Sequence, residues 1–431
     1  MVEDWIQPVA YSPLTWFAAL CLFVLFALNN IRMGKPAPWR PTDKAWLNGI
    51  FYFAIAFAPV LLLLLVAVVA MLGLVGWHIL ASGIATKDPD NLRWYVLSFV
   101  GLLTALGGII GTPLALIRVW TNERQTGTQE EALFNDKINA ASEGLSARRQ
   151  VTRVTGQGAE ERVLSEWQDD LVARNAAIDR LEGLVHERPE AADRVASLLS
   201  VYVVELSAEH PPEEPPEDAT PGALREWARG LTPKRSDMQR AAQVLGRLRK
   251  IPGVTLQKGR IDLRRANLQG FDLRELDFTK ARLNDAHLEG ANLWRAHLEG
   301  TNLGGAHLDG ADLGDAHLEG AILWSAHLEG TNLRSAHLDG AILWSAHLDE
   351  KTSLTDAALR GASVREVDWS MVNISQDQVN SIFGDASVTL PAGITRPAHW
   401  PDTELDPLSF EAEYNKWRVA PTTYTPPQDR S

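Results

Sequence analysis

Seven histidines fall on one beat, His287, His297, His307, His317, His327, His337 and His347, and two residues after each stands an acid: Glu289, Glu299, Asp309, Glu319, Glu329, Asp339 and Asp349. Imidazole beside carboxylate suits three roles. The pair can ligate a borderline divalent metal such as Zn or Ni. It can titrate near neutrality, protonation of the imidazole offsetting the acid. Or it can line a regular polar wall and do no chemistry. On a third position of the same beat lie Trp294, Trp324 and Trp344, interspersed with Gly304, Gly314 and Arg334. Exposed tryptophans on a polar wall suggest a contact site for a protein partner or for the chain's own tail.

The elements that position these side chains follow from the underlying period of five, which fits neither a helix at 3.6 nor a strand at 2. A chain that turns a corner every five residues winds into a solenoid, each coil pairing its backbone with the one before. Leucines recur through Leu263, Leu268, Leu273, Leu283 and Leu288 to Leu348, with Phe278 taking one turn. Two residues before each is a small or apolar residue such as Ala266, Ala281, Ala286 or Thr301. These two positions face inward and the other three face solvent.

The units "ANLQG", "ANLWR", "TNLGG" and "ADLGD" resemble the A(D/N)LXX signature of the pentapeptide repeat family, over roughly Ile261 to Met371. The resemblance implies a right-handed quadrilateral β-helix with four pentapeptides per coil. Residues twenty apart then stack. His287, His307, His327 and His347 form one ladder, with Glu289, Asp309, Glu329 and Asp349 beside it; His297, His317 and His337 form another on the opposite face. Trp324 should stack on Trp344. Exposed ladders lack the second shell that orients metal ligands, so no metal and no cofactor is assigned.

The register slips once: "LDEKTSL" inserts a residue between Leu348 and Leu354, a bulge at a corner. Open solenoid ends need covering. "SDMQRAAQVLGRLRK" predicts a helix before the first coil, capped by Ser236 and Gln239, with Met238, Ala241, Ala242, Leu245 and Leu248 on one side. "ISQDQVNSIFGD" predicts another after the last, with a Ser375/Gln378 capping box and a stop at Gly384.

The chain of 431 residues carries a formal net charge of -13 and 45% hydrophobic residues, but the apolar residues concentrate at the N-terminus. Leu14 to Leu28, Ile50 to Leu80 and Trp94 to Ile117 contain no charged side chain. The last two exceed the ~20 residues that span a bilayer. The acidic "MVEDW" argues against a signal peptide. Arg32, Lys35, Arg40 and Lys44 follow the first segment, and the positive-inside rule places that loop and the repeats in the cytoplasm. The only cysteine, Cys21, can form no internal disulfide.

The expected organisation is α+β and multidomain. It comprises a transmembrane anchor of about three helices (1–120), a cytoplasmic α-helical region (121–209), a Pro/acidic linker (210–235), a cap helix (236–259), the β-helix (260–372), and a C-terminal cap and tail (373–431). In the helical region, Thr128 and Glu131 suggest a capping box. One apolar stripe runs through Leu164, Trp167, Leu171, Ile178, Leu181 and Val185, and another through Val195, Leu198, Leu199, Tyr202 and Leu206.

No phosphate-binding loop, HExxH, CxxC or GxSxG motif is present, and a leucine-filled solenoid offers no shielded catalytic pocket. Enzyme activity is not expected. The charge sign disfavours nucleic acid as a partner. The reading is a bacterial inner-membrane, multi-pass scaffold presenting a rigid cytoplasmic rod to a protein partner or a second copy of itself. Its candidate surface comprises Trp294, Trp324, Trp344, His287, His307, His327, His347, Glu289, Asp309 and Glu329. The alternative is DNA mimicry toward a topoisomerase, a role the resemblance supplies and the acids Asp309, Asp312, Asp315 and Glu319 favour.

Overall fold

The structure, a computed structural model, describes residues 60–77, 80, 89–155, 162–217 and 219–430. The first apolar segment, Cys21 and the cations that set the orientation lie outside the described residues. Two compact units are separated at Asn135/Asp136.

Unbroken runs of Leu, Val and Ala form helix α1 (Val60–Trp77), and α2 spans Pro89–Gly144. Both are long and apolar enough to cross a membrane, by length and composition. The expected new start at Thr128 does not occur. Strong helix formers flank that point, so the lone Gly127, at about 1 kcal/mol, does not break α2, and the Thr128 hydroxyl donates back to the Arg124 carbonyl at 3.1 Å.

In the second unit the chain first makes an antiparallel hairpin, β1 (Arg148–Thr155) and β2 (Arg162–Asp169), in register from Arg148 opposite Asp169 to Thr155 opposite Arg162. Helix α3 (Leu171–Glu187) follows, its first turn capped by the Asp170 carboxylate, and α4 (Ala192–Glu209) packs on it. The stripe expected from Leu164 to Val185 is therefore two elements. Leu164 and Trp167 belong to β2, where Val163 and the alternating residues favour a strand, and Trp167 is exposed. Ile178, Leu181 and Val185 are buried as expected, as are Val195 and Leu199 on α4.

The stretch at 210–235 is not only an extended linker: Thr220 caps a ten-residue helix, α5 (Pro221–Gly230), with proline in its first turn. Helix α6 (Ser236–Arg247) buries Met238, Ala241, Ala242 and Leu245. Ser236 and Gln239 do not cap it; Arg235 occupies the cap position, and Gln239 serves the first coil instead. Asp237 is fully buried, holding Arg235, at 2.6 Å, and the Tyr202 hydroxyl, at 2.7 Å, while Arg174 and Arg235 both reach Asp169 at the end of β2. This ionic hub ties the hairpin, α3, α4 and α6 together.

From Asp262 the chain forms parallel bridges to the residue twenty positions on, on each of four sides: Asp262 to Arg282, Asn267 to His287, Asp272 to Asn292, Asp277 to His297. Inside, alanine and leucine are almost completely buried from Ala266 to Leu343. The insertion shifts the spacing to twenty-one, as in Asn332 to Ser353. Asp349 holds that loop, accepting from the amides of Lys351 and Thr352 at 2.9 Å and of Gly330 at 2.8 Å.

The first coil has no predecessor, yet its four bridging amides are all partnered. Asp262 donates to the Ser200 hydroxyl (3.3 Å), Asn267 to the Ser207 hydroxyl (2.9 Å), Asp272 to the Gln239 side-chain oxygen (3.1 Å), and Asp277 to the Gly246 carbonyl (2.9 Å). The N-terminal cap is thus built by α4 as well as α6. At the other end α7 (Gln376–Asn380) carries the expected Ser375/Gln378 capping box. It ends before Gly384, whose bare Cα instead lies under the Trp400 ring. Helix α8 (Pro407–Val419) closes the last coils with a cluster of Phe383, Phe410, Tyr414 and Trp417.

Candidate functional site

Parallel bridging at a fixed interval of twenty forces like side chains into columns. The imidazoles of His287, His307, His327 and His347 stack with ring centroids 4.6, 4.6 and 4.8 Å apart. Those of His297, His317 and His337 stack at 4.7 and 4.8 Å. In each column the first acid turns back to its own histidine: His287 Nδ1 lies 3.0 Å from Glu289 Oε1, and His297 Nδ1 3.1 Å from Glu299 Oε1.

The two faces differ in what covers them. On the first, the 210–235 segment runs along the wall: Gln269 exchanges two hydrogen bonds with the Glu213 backbone, at 2.7 and 2.8 Å. Helix α5 then lies along the corner made by Gly290, Gly310 and Gly330. A methyl group at Gly290 would overlap the Ala228 carbonyl; at Gly310 it would meet the Ala228 side chain, and at Gly330 the Arg225 stem. On the second face the equivalent corner is Gly300, Gly320 and Gly340, and, chain neighbours aside, no atom among the described residues lies within 4 Å of a methyl group added at Gly320 or Gly340.

All six glycines have positive φ, but so do Arg265, Asp285, Arg295, Asp315 and Ser325 at other corners, with φ between 50° and 59°. The left-handed turn therefore does not itself demand glycine here. Close approach of α5 does demand it along the first corner.

Cover changes the electrostatics. Glu289 and Asp309 are 3% and 7% exposed, although the sequence pattern assigned them to solvent. Burial and the neighbouring Glu329 push the Asp309 carboxyl up to about 8, and burial likewise raises Glu329. Burial and the adjacent imidazoles lower His307 and His327. The middle of this ladder is held in its neutral forms, protonated Asp309 beside uncharged imidazoles. On the open face burial acts to raise Glu299, but its backbone amide and the bonds from His297 and Thr279 outweigh it and hold the carboxyl below the usual range.

The tryptophans occupy three settings. Trp294 is half-buried, its Nε1 donating to Asp315 at 3.1 Å, with the Arg295 guanidinium 4.0 Å over its ring. Trp324 stacks on Trp344 at 5.6 Å and is 48% exposed. Trp344 is not free. Phe410 of α8 meets it edge-on at 5.2 Å, and its Nε1 donates to the Ser363 hydroxyl at 3.0 Å. The chain's own tail, one of the two contacts the sequence suggested for the tryptophans, meets it here. Beside Trp324 the side positions turn apolar, with Ile322 paired to Ile342 where the coil below has Asn302.

The residues that sequence reasoning missed are Ser200, Ser207, Ala228, Gly290 and Gly310. The available signal was the Thr220-Pro221 start of α5.

The profile of pentapeptide repeats matches residues 260–295, 286–324 and 311–349, in 8 copies. This chain belongs to the pentapeptide repeat family. Among solved structures, the pentapeptide repeat protein alr5209 from Nostoc PCC 7120 is 30% identical, covering 30% of this chain and 84% of its own, with a TM-score of 0.17. The pentapeptide repeat protein Rfr23 from the cyanobacterium Cyanothece 51142 is 35% identical over 22% of this chain, with a TM-score of 0.18; the match spans 59% of Rfr23's length. Full-length QnrB1, a plasmid-mediated fluoroquinolone resistance protein, is 14% identical over 36% of this chain and 86% of its own, with a TM-score of 0.19. No curated protein matches the chain.

Proposed function

We propose that this pentapeptide repeat protein is a membrane-anchored, non-catalytic scaffold whose rod docks a helix of a partner protein on its open face. One observation carries the reading. The rod already holds a helix, α5, along one glycine corner, while among the described residues the matching corner across the coil is bare at Gly320 and Gly340. The chain continues from Gly320 into the Ile322 side and the exposed Trp324, so small, apolar and aromatic groups follow one another, as a helix with an alanine-bearing stripe requires. Of the original candidate residues, Trp324 is the one that belongs to this surface. The first-face acids Glu289 and Asp309 are buried beside the glycines that α5 approaches, and Trp344 packs on Phe410 of α8. Helices α1 and α2 supply the anchor by their length and composition.

DNA mimicry needs an uncompensated acidic surface. Here Asp315 faces Trp294 and Arg295, Asp312 accepts from Asn332, and Asp309 is held protonated.

The test is crosslinking and affinity capture of the full-length protein from its native membranes, compared with Gly320→Arg. Arg265 and Arg295 adopt the same left-handed corner, so the backbone accepts the change while its side chain fills the groove. A protein captured by the parent and lost in the variant supports the docking surface. An unchanged set of captured proteins removes it.

A further inference from the structure

The second histidine column carries two overlapping groups of metal-ligating side chains, both accessible to solvent. His297, Glu299 and His317 each place one ligand atom within 4.8 Å of the others, and so do His317, Glu319 and His337. Glu319 Oε1 lies between two rings, 3.4 Å from His317 Nδ1 and 3.8 Å from His337 Nδ1. All five side chains are partly accessible. The three imidazoles line a groove of about 520 Å³ whose other charges balance, Lys250 and Arg295 against Glu275 and Asp315. Glu299 also has an outer partner, its second oxygen accepting from the Thr279 hydroxyl at 3.0 Å. The first triad thus has an orienting contact that the sequence alone did not reveal.

We propose that this column binds one zinc ion per chain, at either of two overlapping His-Glu-His triads that share His317. Two imidazole nitrogens and a carboxylate oxygen are a donor set for zinc, leaving a fourth position for water from the groove. Tetrahedral zinc at about 2.0–2.1 Å from nitrogen needs donors roughly 3.4 Å apart. The Glu319 contacts already approach that separation. The imidazoles, stacked 4.8 Å apart with nearly parallel planes, must turn about their side-chain bonds to converge, and the groove gives them the space. Because both triads need His317, filling one empties the other. On the first face a comparable trio, His287, Glu289 and His307, forms around an almost fully buried carboxylate and is not assigned.

The experiment is equilibrium dialysis of the detergent-solubilised full-length protein against micromolar Zn²⁺, with bound metal counted by elemental analysis. Co²⁺ serves as an absorbing substitute that reports the coordination geometry. One ion per chain is expected. His317→Ala should weaken binding at least tenfold. His297→Ala and His337→Ala should each keep one ion on the surviving triad, and the double variant should lose it. His307→Ala, on the other face, should bind as the parent does. Circular dichroism of each variant separates loss of donors from loss of fold. Retention of no ion, retention of two, equal binding by folded His317→Ala, or loss of the ion in either single variant would each overturn the proposal.

Discussion

The carbonyl of Ala228 occupies the space that a side chain at Gly290 would need. A helix from outside the repeats is thereby keyed to one corner of the coil, and the same His-Leu-Glu-Gly at the opposite corner, ending in Gly320, has no such neighbour among the described residues. Gly290→Ala and Gly320→Ala are then a matched pair. Each meets the left-handed backbone penalty of about 1–2 kcal/mol, but only Gly290→Ala must also displace α5. Limited proteolysis should cut near 221–230 in Gly290→Ala and leave that segment resistant in Gly320→Ala. Equal resistance in the two would mean that α5 is not held by this corner.

The Asp309 carboxyl gives the rod a pH dependence of definite sign. Its pKa rises on folding from the ordinary 3.8 to about 8. Its contribution is therefore fully present below the unfolded value and is lost as pH climbs through the folded one. Glu329 shifts the same way. Asp309→Asn, which cannot ionise, should be destabilised less than the parent on going from pH 6 to pH 9. The difference should be on the order of a few kcal/mol. Urea unfolding at the two pH values measures it, and parallel losses in parent and variant would refute the assignment.

Trp344 and Trp324 stack yet should behave differently. Trp344→Ala removes the contact with Phe410 and the bond to Ser363, and large-to-small changes of this kind run to about 3–5 kcal/mol when fully buried. Because Trp344 is half-buried, a loss of about 2–3 kcal/mol is expected, with faster amide exchange over α8. Trp324→Ala should stay within about 1 kcal/mol. Equal exchange over α8 in the two variants would dissociate Trp344 from the cap.

At the other end, Asp237→Ala leaves Arg174 and Arg235 facing a buried site without that carboxylate. Removing one partner from a buried ionic group typically destabilises by about 3–5 kcal/mol. The loss should appear as a lower urea midpoint. A change below 1 kcal/mol would show that Asp169 alone suffices for both guanidiniums.

The repeats were legible because their signal is periodic. Leucine and alanine every five residues dictate the inward positions, and the interval of twenty dictates which histidines and tryptophans stack. Helix faces with strong apolar spacing, such as Met238 to Leu248, were legible for the same reason. What escaped was aperiodic. The hydroxyls of Ser200 and Ser207 look like ordinary helix-surface serines until the first coil's amides are placed above them. Glu289 and Asp309 are buried next to the glycines that α5 approaches, and α5 lies inside a stretch whose acidic and proline-rich opening reads as spacer. Glycine at every tenth position carries no signal of its own in the sequence, and Arg295 and Asp315 make the same turn without it. Why one glycine column is necessary emerges only with Ala228 beside it.

The four partnered amides of the first coil bear on how the rod comes into being. Donors that would otherwise seek another chain's edge are matched by Ser200, Ser207, Gln239 and Gly246, all of which precede the repeats in the chain. The residues of the platform are synthesised before the first coil emerges, so a template for that coil is in the chain ahead of it. With that end matched in advance, the coil edge left to be closed is the C-terminal one, where Phe383, Phe410 and Trp417 cluster.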